Sequence, residues 1–311
     1  MEHVRLLADR ALHNPVMLFA FTGWNDAGEG ASAAVRTMVN HWGATHIADI
    51  DPEGFTDFAT VRPSVYLRDG RRHIAWSTVQ VWAASLPGAD AILIVGPEPA
   101  LQWRLFSQQV VGLAEHFSVS MSISLGALLA DVPHTHPVHV IGTSTEPDLM
   151  DRFDLQRSTY EGPTGIVGVL QDAMSAADIP AASLWATVPG YTAQIPSPKA
   201  CEALMRTACA MIGTTVPAGA FTRVIADYEA RVAALVADDD DLASYVTRLE
   251  SMIDEADDDT DEDDDTEEVS VEADHFEESE DVDPEEFLAE VEQFLREAGP
   301  SGDGGPAPET D

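Results

Sequence analysis

The fold is decided by residues 15–40, which read Pro-Val-Met-Leu-Phe-Ala-Phe-Thr-Gly-Trp-Asn-Asp-Ala-Gly-Glu-Gly-Ala-Ser-Ala-Ala-Val-Arg-Thr-Met-Val-Asn. Residues 16–21 form an apolar run that is too short for a globular helix and lies between Pro15 and Gly23. Such a run is typical of a central strand in a parallel sheet. Residues 27–39 then change to helix-forming side chains. The stretch therefore predicts a buried strand, a glycine-containing turn and a helix.

The turn of this unit contains Gly23, Gly28 and Gly30, which permit tight bends and close backbone approach. Asn25 and Asp26 can cap the helix that follows. A junction of this kind lies at the carboxyl end of a strand, where open α/β sheets bind their ligands. The glycine spacing matches neither the dinucleotide-binding nor the phosphate-loop pattern. We therefore interpret the turn mainly as a capped helix start.

Apolar strands alternate with helical patterns along residues 1–215, which predicts a doubly wound, mostly parallel α/β core domain. Asp69-Gly70 joins two further strands over residues 65–76 and predicts a β-hairpin that projects from the sheet. Its tip is basic, which either keeps an edge strand soluble or meets an acidic partner. The arginines of the tip are Arg68, Arg71 and Arg72, and the predicted sheet strands lie at residues 16–21, 45–50, 91–96, 118–124, 138–141 and 183–188.

A second glycine loop, at residues 160–165, precedes a predicted helix at residues 166–174. Free backbone amides at a helix start favour anions, so this loop and the first one could frame a small-molecule pocket. In the simpler alternative, Thr164 caps the helix and the glycines only permit the turn. The candidate pocket consists of Gly23, Trp24, Asn25, Asp26, Gly28, His134, Thr135, Gly162, Thr164, Gly165 and Tyr191.

One histidine-rich segment of the sequence could suggest a metal site. His134, His136 and His139 lie close together, with Asp131 nearby, but two prolines make the segment a turn and not an extended ligand set. No G-x-S-x-G, H-E-x-x-H, C-x-x-C or zinc-finger spacing occurs in the sequence. We therefore expect no metal and no cofactor, and the sequence leans away from an enzyme.

Charge is concentrated toward the C-terminal end, because residues from 254 onward hold 27 of the 55 acidic residues and one basic residue, Arg296. Nucleic acid is not expected as a partner, since neutralising phosphates needs clustered Lys and Arg. Cys201 and Cys209 lie about 12 Å apart on one predicted helix, too far for a disulfide, which indicates buried thiols in a reducing compartment. No apolar run approaches about 20 residues, so we expect a cytoplasmic protein without a membrane partner.

Five ordered motifs are jointly specific: Phe-Thr-Gly-Trp-Asn-Asp-Ala-Gly at 21–28, Gly-Pro-Glu-Pro at 96–99 with Trp103-Arg104, Pro-His-Thr at 133–135, Gly-Pro-Thr-Gly at 162–165 and Val-Pro-Gly-Tyr at 188–191. Together they resemble the proteasome assembly chaperone 2 family in its actinobacterial branch. The resemblance implies a three-layer α/β domain of phosphorylase-like topology, homo-oligomerisation and a role beside the proteasome core particle. It also implies docking through a C-terminal hydrophobic-Tyr-any motif, whereas this sequence ends Pro-Glu-Thr-Asp.

The C-terminal part divides into four segments. Residues 216–253 show helical apolar spacing and are expected to pack on the core domain or between subunits. Residues 254–283 contain 19 acids and no base, which predicts a disordered linker. Residues 284–298 follow the helix cap Asp283 and predict an amphipathic helix, and residues 299–311 a disordered tail. The apolar stripe of that helix, which we expect to dock onto the protein's own oligomer in preference to a separate partner, is Phe287, Leu288, Val291, Phe294 and Leu295.

Three functions stay open on this basis. The first, which we favour, is a non-catalytic, homo-oligomeric chaperone-like protein that acts through protein contact. The second is an enzyme or binding protein that uses the candidate pocket for a phosphorylated or nucleoside-like compound. The third is an adaptor that acts through the acidic tail. Proteasome pull-down, thermal shift against metabolites and tail deletion respectively distinguish them.

Overall fold

The structure is a computed structural model that describes residues 1–216 and 219–260. The strands of this part are β1 (Val4–Leu6), β2 (Val16–Thr22), β3 (Thr45–Ile50), β4 (Ser64–Arg68), β5 (Arg71–Ala75), β6 (Val79–Ala84), β7 (Ala91–Pro97), β8 (Met121–Ala130), β9 (Val140–Ser144) and β10 (Ala181–Pro189). The α-helices are α1 (Gly30–His41), α2 (Trp103–His116), α3 (Pro147–Phe153), α4 (Ile166–Ala176), α5 (Pro198–Ile212), α6 (Thr222–Ala237) and α7 (Asp240–Thr260).

Eight of these strands form one sheet in the order β1-β3-β6-β7-β2-β8-β10-β9. At its centre β7, β2, β8 and β10 are parallel neighbours. β3 runs in the same direction, whereas β1, β6 and β9 run in the opposite one. The prediction of a mostly parallel α/β sheet is thus confirmed, and the structure adds antiparallel strands on both flanks.

Helices cover both faces of the sheet, which gives three layers. Side chains alternate along β2, so Leu18 and Ala20 join the core beneath α1 and α5, whereas Phe19 and Phe21 join the core beneath α2 and α4. Phe21 packs edge to face on Phe106 of α2, with ring centres 5.6 Å apart. The central strand is buried on both faces, as its unbroken apolar sequence predicts.

The predicted β-hairpin is present as β4 and β5, which pair only with each other. Asp69 and Gly70 form its turn, and both have positive φ angles, 52° and 74°. This geometry is that of the two-residue turns that join hairpin strands. Every residue of both strands is exposed, so the hairpin projects from the three-layer body.

Several elements differ from the sequence-based expectation. The strands β1 and β6 and the short helix α3 were not predicted, and the final helix continues beyond Ile253 to Thr260. On α6, Tyr228 and Val232 pack against Ile195 after β10. No helix in the described part is long and apolar enough to cross a bilayer. The predicted helix at 284–298, the tail at 299–311 and residues 261–283 of the acidic linker lie outside the described residues.

Candidate functional site

Asn25 lies at the centre of the first cluster of predicted site residues, and its side chain is fully buried. Its Nδ2 donates a hydrogen bond to Oε1 of Glu98 at 2.6 Å. The same carboxylate oxygen accepts the backbone N–H of Ile166 at 2.9 Å. A Cβ at Gly165 would overlap the Asn25 amide, so only glycine fits there. The two predicted glycine loops therefore meet, with Glu98 joining them.

Asp26 likewise accepts hydrogen bonds from backbone amides in the first turn of α1. Its Oδ1 accepts the backbone N–H groups of Ala31 at 2.8 Å and Ser32 at 3.0 Å. Burial raises the pKa of this carboxyl above its ordinary value of 3.8, and the hydrogen bonds from Ser32 and Ala31 oppose that rise. Of the two residues predicted to cap this helix, Asp26 bonds its amides across a left-handed turn at Glu29 (φ 52°), whereas the Asn25 side chain bonds Glu98 instead.

Both helix starts that the sequence suggests as anion sites are thus bound by carboxylates of the chain itself. Asp26 accepts the first amides of α1, and Glu98 accepts the first amide of α4. The expectation that Thr164 caps α4 is wrong, because Gly165 is the residue before the helix and no side chain at that position bonds its amides. Carboxylate oxygens of Asp26 and Glu98 therefore already occupy the positions where a phosphate would bind.

The second cluster joins His134 and Tyr191. The Tyr191 hydroxyl accepts the His134 backbone N–H at 2.7 Å and lies 2.9 Å from its Nδ1. Burial, followed by the nearby Lys199 charge, lowers the pKa of His134 below 6.5. Burial also raises the pKa of Tyr191 to about 12. These shifts favour a neutral imidazole beside a neutral phenol.

Lys199, the chain's one lysine, holds this cluster to the C-terminal helices. Its Nζ donates to the carbonyl oxygens of His134 at 2.5 Å and His136 at 2.9 Å. It also pairs with Glu229 of α6 at 2.9 Å, and its side chain is only 12% exposed. Thr135 continues the attachment by donating to Glu250 of α7 at 2.7 Å. The role of these residues in the structure is to fix a loop to helices.

The space left at this cluster is small. A cavity of about 10 Å³ beside His134 is lined by residues of the same loop and by Ser197, Lys199 and Tyr228. That volume holds about one water molecule, whereas ligand pockets occupy roughly 300–1,000 Å³. A larger surface groove of about 650 Å³ runs between α1 and β6, beside Trp82 and Arg36. None of the predicted pocket residues lines that groove.

The remaining predicted residues line neither the cavity beside His134 nor the groove between α1 and β6. Trp24 is exposed, with 64% of its surface accessible. Gly28 has a positive φ of 56° and accepts the backbone N–H of Ser197 at 2.7 Å. Gly162 packs under the Tyr160 ring. The predicted set thus forms two separate hydrogen-bond clusters and several individual positions.

Metal and thiol chemistry have little support in the described residues. Within residues 1–216 and 219–260, no three His, Cys, Asp or Glu side chains are placed to hold a metal ion. Cys201 and Cys209 are free and buried, as predicted, and burial raises the pKa of each thiol to about 11. Neither thiol is a ready nucleophile at neutral pH.

Two residues that connect the clusters were missed as site residues. Glu98 lies in the Gly-Pro-Glu-Pro motif, and a carboxylate after a central strand is itself a signal of a helix-start partner. Lys199 is the one lysine of the sequence and lies in none of the motifs considered there. A single lysine placed just after a helix cap could have suggested a structural ion pair.

The fold and these clusters define a three-layer α/β protein whose two glycine-containing loops are joined by hydrogen bonds to a side chain of the same chain. A PAC2 family model matches residues 20–236, and the chain therefore belongs to the PAC2 family. The family predicted from the five motifs is confirmed.

Solved structures agree with this assignment. A PAC2 family protein from Streptomyces avermitilis is 40% identical, with a TM-score of 0.69, over 75% of this chain and 99% of that one. A Mycobacterium tuberculosis proteasome-assembly chaperone homologue is 38% identical, with a TM-score of 0.68, over 74% and 99%. Pyrococcus furiosus PbaB, an archaeal proteasome activator, shares the fold at 14% identity, with a TM-score of 0.63, over 75% and 97%. A comparison with curated proteins finds no match.

Proposed function

We propose that this protein is a homo-oligomeric, proteasome-assembly-chaperone-like protein that acts through protein contact and without catalysis. The observation that carries the proposal is the 38% identity to the Mycobacterium tuberculosis proteasome-assembly chaperone homologue, over 99% of that chain. A likeness of that extent covers the whole three-layer body, and the proposed partners are proteasome subunits. The free, buried thiols support a place in the cytoplasm.

The geometry supports protein contact over the small-molecule alternative. Asp26 and Glu98 occupy the helix starts that would bind a phosphate, and the cavity beside His134 has room for about one water. Of the predicted residues, His134 lines this water-sized cavity, and none lines the larger groove between α1 and β6. The adaptor alternative depends on residues outside the described part.

The proposed contact surface, called the contact edge below, lies at the C-terminal ends of the parallel strands. Large apolar side chains are exposed there: Trp24 follows β2, Leu101 follows β7, and Leu129 lies near the end of β8. Each is between 48% and 64% accessible. Exposed apolar side chains that recur along one edge mark a protein interface.

The proposal is tested by pull-down of the full chain with recombinant proteasome α and β subunits, followed by native mass spectrometry. We expect complexes with unassembled or half-assembled subunits and faster formation of the core particle. A spectrum that contains only copies of this chain, with unchanged assembly kinetics, contradicts the proposal.

The contact edge is tested with Trp24→Ala, because removing an exposed aromatic anchor weakens an interface without opening the core. We expect at least about a tenfold loss of subunit binding. Met252→Ala is the matched control, since Met252 is 61% exposed but lies on α7. Equal binding by both variants would argue against this edge.

A further inference from the structure

The β4–β5 hairpin combines exposure with apolar character. Both of its faces are open, and Val65, Tyr66, Leu67, Ile74 and Trp76 are each between 47% and 72% accessible. The strand register places Val65, Leu67 and Ile74 together on one face of the hairpin and Tyr66 on the other, and the three side chains of the first face form an exposed apolar patch of the kind that marks a contact surface. A two-stranded hairpin is also marginally stable when nothing covers it.

Charge at the hairpin tip points to the chemistry of the partner. Arg68 lies directly opposite Arg71 in the strand register, and Arg72 follows. Like charges placed opposite each other destabilise a strand pair. None of these arginines makes an ion pair with any described residue. The tip therefore carries three arginines against the single carboxylate of Asp69, a net positive charge that an acidic surface would stabilise.

A second copy of this chain has the matching surface. The chain has a formal net charge of −39, and residues 238–241 at the turn between α6 and α7 are four consecutive exposed aspartates. Leu235, one helical turn earlier, is 47% exposed. The acidic turn thus combines negative charge with an apolar neighbour, as the hairpin combines positive charge with apolar neighbours.

We propose that the hairpin of one copy binds the α6–α7 turn of a second copy, with the tip arginines against the aspartates. This inference rests on the homo-oligomer of the proposed function and locates its interface. The two surfaces lie on different elements, so each copy gives one surface and receives the other, either reciprocally across a two-fold axis or head to tail. Head-to-tail contacts close into rings when the rotation between copies permits.

One of the four aspartates has a structural role within its own chain. Oδ1 of Asp239 accepts the backbone N–H groups of Asp241 and Leu242, both at 3.0 Å, and so caps α7. Asp238 and Asp241 accept no comparable bond in the described residues. The test therefore changes Asp238 and Asp241 and leaves the cap intact.

The test is a charge swap in the full chain, measured by native mass spectrometry and by light scattering after size exclusion. Arg71→Glu with Arg72→Glu, and separately Asp238→Arg with Asp241→Arg, should each raise the dissociation constant between copies at least about tenfold, because the first variant places acidic side chains against the aspartates and the second removes the net negative charge that the tip arginines face. The combined fourfold variant should recover the wild-type mass. A 1:1 mixture of the two double variants should form an alternating hetero-oligomer.

Arg104→Glu with Arg157→Glu is the matched control for the arginine variant, because both arginines are exposed and the change in net charge equals that of Arg71→Glu with Arg72→Glu. Circular dichroism melting checks that each variant folds. A wild-type chain that is monomeric overturns this inference together with the oligomer of the proposed function. An oligomer that neither reversal weakens, or a fourfold variant that fails to reassemble, overturns this inference alone. Failure to bind proteasome subunits affects only the proposed function.

Discussion

Replacing Glu98 by alanine should loosen the junction between the two glycine loops. In the native protein, one carboxylate oxygen accepts both Nδ2 of Asn25 and the backbone N–H of Ile166. The Asn25 side chain is fully buried, and among the described residues its Oδ1 has no hydrogen-bond partner. Losing Glu98 would therefore leave the whole amide unsatisfied in the core.

The size of the effect follows from the two bonds. A hydrogen bond to a charged group contributes about 1.5–3 kcal/mol, and Glu98 is only half-buried, so we expect Glu98→Ala to cost about 3 kcal/mol in total. Glu98→Gln keeps an oxygen that can accept both bonds and loses only the charge at the start of α4. That loss should cost about 0.3–1 kcal/mol. The ratio between the two variants is the informative quantity.

Urea unfolding followed by circular dichroism measures the free energies, and hydrogen exchange reports the local change. In Glu98→Ala, the backbone amide of Ile166 should exchange faster, because it loses its acceptor. Glu115→Ala is the control, since Glu115 is exposed at the end of α2 and should change the free energy of unfolding by less than about 0.5 kcal/mol. Equal costs for the Gln and Ala variants, or an Ala variant as stable as the control, would refute this account of the junction.

Three further predictions concern single sites. Gly165→Ala should destabilise the fold by at least about 2 kcal/mol in urea unfolding, because the new Cβ overlaps the buried asparagine amide, whereas Gly190→Ala, with open space around it, should be nearly neutral. Burial lowers the pKa of His134, so on acidification the unfolded chain takes up a proton near pH 6.5, before the folded chain does. The free energy of unfolding should therefore fall as the pH drops below about 6.5. The fall should be smaller in His134→Gln, which lacks the titrating group. A stability that rises on acidification would contradict this. Cys201 and Cys209, with pKa values of about 11, should react with a thiol reagent at about pH 8 at least about a hundredfold more slowly in the folded protein than in urea.

The central strands could be predicted from sequence because each is an apolar run with a glycine or proline boundary. Residues 16–21 and 91–96 illustrate this, and they became β2 and β7. The hairpin could also be predicted from sequence, since Asp69-Gly70 tolerates the positive φ angles that its turn requires. In these places the local chemistry alone determines the backbone.

The antiparallel flanks could not be predicted in the same way. β6 reads Val-Gln-Val-Trp-Ala-Ala, an alternation that indicates a strand but carries no information about its direction. It pairs with β7 on one side and β3 on the other, and both pairings depend on how the chain returns from the hairpin. Strand direction is set by the path of the chain, which local patterns do not contain.

The candidate site, like the fold, could be predicted from sequence only in part. The sequence identified the residue types of the glycine loops, and the structure brings Asn25 and Gly165 together as expected. It did not reveal that Glu98, 73 positions from Asn25, would occupy the place of a ligand. A carboxylate facing a helix start and a phosphate site look alike in sequence, because both need free amides beside a glycine.

Asp26 and Glu98 occupy the starts of α1 and α4, and this also favours contact between proteins as the proposed function of the domain. Lys199 bonds both the loop at residues 133–137 and Glu229 of α6, and Glu98 bonds the start of α4, so the chain's own side chains hold these two loops in place. Loops that are held in place before binding lose less conformational entropy when another protein covers them. The groups that occupy both helix starts therefore also support the proposal of a macromolecular partner.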